Sequence, residues 1–215
     1  MSDLLSSLPV RRIREPIGDG AAVLRGFAFD DASELLCAVE RIQAAAPCRH
    51  LTTPGGHVMS VAMTNCGELG WVSDRRGYRY QATDPLSGRN WPEMPDLLRR
   101  IAAEAAKATG YPAFRPDACL INRYEPGARL TLHQDRDEQN LGAPIVSVSL
   151  GLPAVFLFGG LRRSDRPQRL RLEHGDVVVW GGPTRLAFHG VEPLSDGQHP
   201  LTGSCRINLT FRKAA

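Results

Sequence analysis

The chain is poor in cysteine and arranges what it has in no useful pattern. Cys37, Cys48, Cys66, Cys119 and Cys205 are scattered, odd in number and form no CxxC pair. That excludes a disulfide scaffold and a zinc-finger centre, and the expectation is reduced, inert thiols. Long apolar runs are also missing. No stretch of about 18 apolar residues occurs, and the N-terminal stretch carries Arg11, Arg12 and Arg14 without an apolar signal core, so a soluble, cytoplasmic chain with no membrane contact is expected. A dominant charge is lacking as well: 26 Lys and Arg stand against 23 Asp and Glu, a net +3. Composition therefore neither requires nor excludes a polyanionic partner, and any such claim has to come from a site. With no repeat, low-complexity segment or linker, and with 42% hydrophobic residues available for a core, the chain is expected to be one monomeric domain over residues 13–215 behind a short tail, 1–12.

Two segments have helical periodicity. Leu35, Leu36, Val39 and Ile42 recur at three- and four-residue intervals, predicting a helix over 33–46, with Asp30, Asp31 and Ser33 as candidate caps and Pro47 as its stop. Leu97, Leu98, Ile101 and Ala105 predict a second over 95–109, entered at Pro95 and ended by Gly110 and Pro112. From about residue 116 short β-rich runs alternate with Gly, Pro and Asp turns. Helices ahead of many short strands, without βαβ alternation, imply a mainly β, α+β fold: a double-stranded β-helix (jelly roll) over 116–215 braced by the two helices. The intervening segment, about 50–91, is too polar and irregular for a core and is expected either to recognise something or to cover the scaffold.

Candidate chemistry begins at His133-Gln134-Asp135, which ends an alternating run from Leu130. Residues two apart on a strand point the same way, so the imidazole and the carboxylate converge. A second histidine would complete the two-histidine, one-carboxylate facial triad that holds non-haem Fe(II) with open positions for a cosubstrate and O2. His174 and His189 are the serious candidates. His174 sits in Glu-His-Gly-Asp, a turn composition expected to expose it, whereas His189 is followed by Gly190, whose backbone freedom suits a ligand position. His189 is taken as the third ligand.

The run Arg206-Ile-Asn208-Leu-Thr210-Phe-Arg212 alternates strictly. One face carries Arg206, Asn208, Thr210 and Arg212, a rigid donor array suited to the two ends of a short dicarboxylate such as 2-oxoglutarate. Asn122 and Tyr124 share a face on another strand and offer an amide and a phenol.

These motifs, in this order and spacing, resemble the AlkB family of 2-oxoglutarate-dependent dioxygenases. The likeness extends to Met59–Gly67, Pro116–Asn122, Ile145–Gly151 and His174–Trp180. The resemblance implies Fe(II) on His133, Asp135 and His189, and the distal carboxylate of 2-oxoglutarate on Arg206, Asn208 and Tyr124, with Arg212 and Asn122 at the metal-proximal end. It also implies oxidative demethylation of alkylated bases, 1-methyladenine and 3-methylcytosine, in DNA and in RNA, releasing succinate, CO2 and formaldehyde. Trp71 and Tyr78 match the family's substrate lid, with Trp71 and His133 enclosing a flipped base. Asp137 would face its positive charge, and Arg163, with Thr53, His57, Arg129, Arg136 and Arg162, the phosphates. His57 departs from the tyrosine expected at its position. The competing expectation is the same chemistry on a protein or small-molecule substrate.

Overall fold

The computed structural model describes residues 12–215; the expected tail lies almost wholly outside them. Its main feature is an eight-stranded sheet facing a four-stranded one. In chain order the strands are β1 Arg14–Gly18, β2 Ala21–Leu24, β3 Arg49–Thr52, β4 Val58–Gly67, β5 Gly70–Asp74, β6 Gly77–Gln81, β7 Ala118–Tyr124, β8 Leu130–His133, β9 Ile145–Gly151, β10 Ala154–Phe158, β11 Gln168–Leu172, β12 Val177–Trp180, β13 His189–Val191 and β14 Arg206–Arg212. The large sheet runs β1-β2-β12-β9-β14-β7-β4-β3 and the small one β11-β10-β13-β8, while β5 and β6 form a separate hairpin. The jelly-roll expectation is met. Two helices, α1 Ala32–Ala45 and α2 Asp96–Ala108, fall within a residue of their expected limits. The expected side-chain cap on α1 does not form; Asp31 pairs instead with Arg100 of α2 at 2.7 Å. Among the described residues no helix is long and apolar enough to cross a membrane.

Strand alternation divides the interior into two layers. Ile207, Leu209 and Phe211 of β14 and Val177 and Val179 of β12 pack with Leu35, Ile42, Leu98 and Ile101 of the helices. Val178 and Trp180 turn the other way, joining Tyr124, Phe156 and Phe158 between the sheets. The helices thus seal one face of the large sheet and leave its other face to line the space between the sheets. There a central, doubly paired strand, β14, can present polar side chains without solvent.

The expectation that the segment between the helices is too irregular for a core is corrected by the structure. β4 is a ten-residue strand of the large sheet, and Val61, Met63 and Cys66 are buried in the core. Its polar residues are satisfied internally. Thr64 donates to the Ala46 carbonyl at 2.7 Å, and the Asn65 amide bonds both backbone groups of Trp71 at 3.0 Å. Those bonds attach the β5–β6 hairpin to the sheet. Of this segment, the hairpin and the loops around it lie outside the two larger sheets.

Candidate active site

His133 ends β8 and His189 begins β13, and the two residues are direct partners in the small sheet. Their rings lie 4.4 Å apart. Gly190 serves this approach, though not through the backbone freedom expected of it, since its φ is not positive. A Cβ there would fall 2.7 Å from the Leu130 carbonyl, so only glycine lets β13 pass this close to β8. Asp135 closes the group. Its Oδ1 is 3.7 Å from His133 Nε2 and its Oδ2 3.8 Å from His189 Nε2. These three are the cluster with metal-ligand convergence among the described residues.

The donor set fits a divalent metal. His133 Nδ1 lies 2.8 Å from the Thr131 carbonyl and His189 Nδ1 lies 3.0 Å from the Ala187 carbonyl. A carbonyl only accepts, so each Nδ1 carries the proton and each Nε2 lone pair is left for a metal. Burial, reinforced by His133, pushes the His189 imidazole down to about 4, which keeps it neutral. Burial opposes the charge on Asp135, but Arg212 with His189 and His133 outweighs it and holds the carboxyl well below the usual range. Arg212 Nε and Nη2 both donate to Oδ2, at 2.8 and 2.6 Å. Oδ1 is the oxygen left for the metal.

Beside the triad lies a polar cradle on the inner face of the large sheet. Arg206 opposes Tyr124 and Asn208 opposes Asn122 across β7 and β14. Arg206 is 1% exposed, yet its Nε and Nη1 have no partner. Its Nη2 donates to Ser149 Oγ at 3.0 Å and its guanidinium sits 4.9 Å from the centre of the Tyr124 ring. Burial lowers its pKa and Tyr124 only partly offsets this, so the site holds a desolvated cation without a counter-ion, the local condition that a ligand carboxylate would relieve. Asn208 donates to Ser147 Oγ at 2.8 Å. Ser147 and Ser149 are absent from the candidates above, although two alternating serines in the otherwise apolar Ile145–Gly151 run are a usable signal.

The remaining candidates group around the same cavity, about 930 Å³ in volume, which runs from the cradle past the triad to the hairpin. Trp71 and Tyr78 stack 5.5 Å apart at 13°, and the Trp71 indole donates to Asp137 Oδ2 at 2.9 Å. Arg163 lines the cavity and donates to the Leu132 carbonyl at 2.8 Å. Thr53, His57, Arg129 and Arg136 line its mouth, and Arg162 does not. Asp137 lines the cavity but is solvent-exposed, so water screens its charge. His174 does not line the cavity, and it is half-buried rather than exposed. Its Nδ1 accepts from the Gly151 N–H at 2.9 Å.

A jelly roll with a two-histidine, one-carboxylate triad beside a buried, unpaired arginine defines a mononuclear non-haem iron oxygenase that uses a 2-oxo acid. Comparison with known proteins agrees. The chain belongs to the 2OG-Fe(II) oxygenase superfamily, which it matches over residues 20–212, and its cofactors are Fe(II), 2-oxoglutarate and O2. It is 58% identical to the alpha-ketoglutarate-dependent dioxygenase AlkB of Escherichia coli (strain K12) over 94% of this chain and 93% of that one. It is 33% identical to the tRNA demethylase abh1 of Schizosaccharomyces pombe, over 64% of this chain and 47% of that one. Among solved structures it resembles OsALKBH1 with a TM-score of 0.83 at 30% identity, covering 94% of this chain and all of that one.

Proposed function

We propose that the protein is an oxidative demethylase of alkylated nucleic-acid bases, removing the methyl group from 1-methyladenine and 3-methylcytosine in DNA and RNA. The observation that carries this reading is the continuity of one cavity, with Trp71 and Tyr78 at the hairpin, His133, Asp135 and His189 at its middle, and Arg206 at its inner end. A planar group admitted beside the aromatic hairpin reaches the metal ligands without leaving that cavity. The likeness to AlkB and to a tRNA demethylase supports a nucleic acid as the source of that group.

Bound iron and 2-oxoglutarate supply the oxidising power, and the chain's own residues bind and orient. His133, Asp135 and His189 hold the iron, with Arg212 occupying Asp135 Oδ2 so that the carboxylate offers one oxygen. Arg206, with Asn208 and Tyr124, takes the distal carboxylate of 2-oxoglutarate, while Arg212 and Asn122 border its metal-proximal end. Trp71 stacks on the flipped base, opposite His133, with Tyr78 behind it. Asp137 keeps one oxygen, Oδ1, for a cationic base while Trp71 holds the other. Arg163 and the basic residues at the mouth face the phosphates. The same reading has the protein act as a soluble monomer in the cytoplasm, a placement carried by the sequence alone.

Succinate formation measured with and without an oligonucleotide containing 1-methyladenine tests the substrate class. The reading expects strong stimulation by the methylated strand and little by the unmethylated one. Equal succinate with all additions would return the enzyme to a protein or small-molecule substrate.

A further inference from the structure

Behind the metal ligand Asp135 lies a buried polar hub that the roles above leave without a purpose. Glu138 is its centre, with a side chain only 2% exposed. Its Oε2 accepts from Arg185 Nη2 at 3.0 Å, and its Oε1 lies 3.3 Å from Arg212 Nε and accepts from the Tyr80 hydroxyl at 2.7 Å. The two arginines converge on one residue. Arg185 Nη1 donates to the backbone carbonyl of Asp135 at 2.8 Å, and Arg212 holds its side-chain Oδ2. Arg185 also donates to the Ala143 carbonyl at 2.9 Å, which ties the hub to the loop entering β9.

Tyr80 comes from elsewhere. It sits on β6, two residues after Tyr78, on the hairpin that carries Trp71. The hairpin therefore joins the Asp135–Glu138 segment twice, through Trp71 to Asp137 at the cavity and through Tyr80 to Glu138 in the interior. Burial, with Glu138 and Asp135 adding to it, pushes the Tyr80 phenol well above its usual value, so it remains a neutral donor. Asp135 and Glu138 balance Arg185 and Arg212 within the hub, so neither Glu138 nor Arg185 requires a charge from a ligand.

The geometry points to Glu138 and Tyr80 as positioning residues: Glu138 sets Arg212 and Arg185 around Asp135, and Tyr80 makes that setting depend on where the aromatic hairpin lies. A base stacked on Trp71 holds the hairpin, and with it Tyr80, in the position where the Tyr80–Glu138 bond is made and Arg212 and Arg185 are set around Asp135. By reciprocity a filled metal site favours that same hairpin position. The first half stands on the hub alone, and the second rests on the nucleic-acid reading.

Co(II) bound in place of iron separates the two. Its visible absorption reports the ligand field, and each variant is first checked for a wild-type circular dichroism spectrum. Glu138→Gln is expected to shift the Co(II) bands and weaken Co(II) binding about tenfold, the lower end for outer-shell changes. Tyr80→Phe removes one hydroxyl and keeps the ring, so it remains informative should Glu138→Gln fail to fold, and a smaller band shift is expected. The affinity of a 1-methyladenine oligonucleotide is then compared with and without Co(II) plus 2-oxoglutarate. In the wild type the filled site should tighten binding roughly fivefold or more, and in Tyr80→Phe the ratio should fall toward one. Unchanged Co(II) bands and affinity in every folded variant would overturn the positioning role. A wild-type ratio in Tyr80→Phe, or a ratio of one in the wild type, would overturn the coupling. If the wild type binds no oligonucleotide in either state, the nucleic-acid reading fails while the Co(II) arm still decides the role of the hub.

Discussion

Each ionisable side chain at the site takes its function from what already occupies it. Asp135 has one oxygen on Arg212 and one open. His133 and His189 have their Nδ1 protons on carbonyls, and Arg206 has two nitrogens, Nε and Nη1, with no partner. His133→Ala, Asp135→Ala and His189→Ala should therefore abolish iron binding and turnover with the fold retained, whereas His174→Asn should leave both near wild type. Equilibrium dialysis against Fe(II) under anaerobic conditions reads this directly, and loss of iron in the His174 variant would reverse the choice between the two histidines. Arg206→Ala removes a charge-assisted contact worth about 1.5–3 kcal/mol and should raise the 2-oxoglutarate requirement roughly ten- to hundredfold without affecting metal binding. Arg212→Ala differs. Because Arg212 grips a metal ligand, its loss should weaken metal as well as cosubstrate, a double effect that strand alternation alone does not foretell. At Asp137, exposure reduces the advantage for cationic bases to about 1 kcal/mol, close to fivefold in kcat/KM. Asp137→Asn should lose that margin on 1-methyladenine relative to the neutral 1-methylguanine, and equal losses on both would leave Asp137 a purely steric role.

At the scale of elements, strict alternation carried most of the legible information. β14 alternates strictly between apolar residues for the core and polar residues for the cavity, and Asn122 and Tyr124 of its neighbour β7 share the cavity face, so the faces of these two strands were readable. β4 was not, because Thr64 and Asn65 look like loop residues until their bonds to the Ala46 and Trp71 backbones are seen. β1 and β2 are short, and nothing in the local sequence of Ala21–Leu24 says that it will pair with β12. The metal triad was legible because two of its members lie two residues apart. The hub around Glu138 was not, since its members are separated by as many as 132 residues, from Tyr80 to Arg212, and converge only through sheet packing. The close crossing of β13 and β8 also leads to a test. Gly190→Ala puts a methyl group against the Leu130 carbonyl and should separate His189 from His133. Metal affinity should fall by far more than thermal stability, both readable in one calorimetric series with and without Mn(II). A variant that binds Mn(II) normally would mean that the crossing tolerates a Cβ.

For the molecule as a whole, the layering of helices, large sheet, cavity and small sheet links stability to pH at places far from the chemistry. Burial, with His199 beside it, pushes His174 from its ordinary 6.5 down to about 4. The folded state thus prefers the neutral ring, and the resulting stability is full above pH 6.5 and lost as the pH falls toward 4. An asparagine side chain in its place is not ionisable but can still accept from the Gly151 N–H, so the melting temperature of His174→Asn should fall less steeply over that interval than that of the wild type. Parallel curves would mean that His174 titrates normally. The central claim is that this fold joins a metal triad, a 2-oxoglutarate cradle and a base-binding hairpin in one cavity. The most direct measurement follows succinate, formaldehyde and restored adenine together during turnover of a 1-methyladenine oligonucleotide. The account predicts equal amounts of all three, each lost in Asp135→Ala; succinate accumulating without formaldehyde or restored base would contradict it.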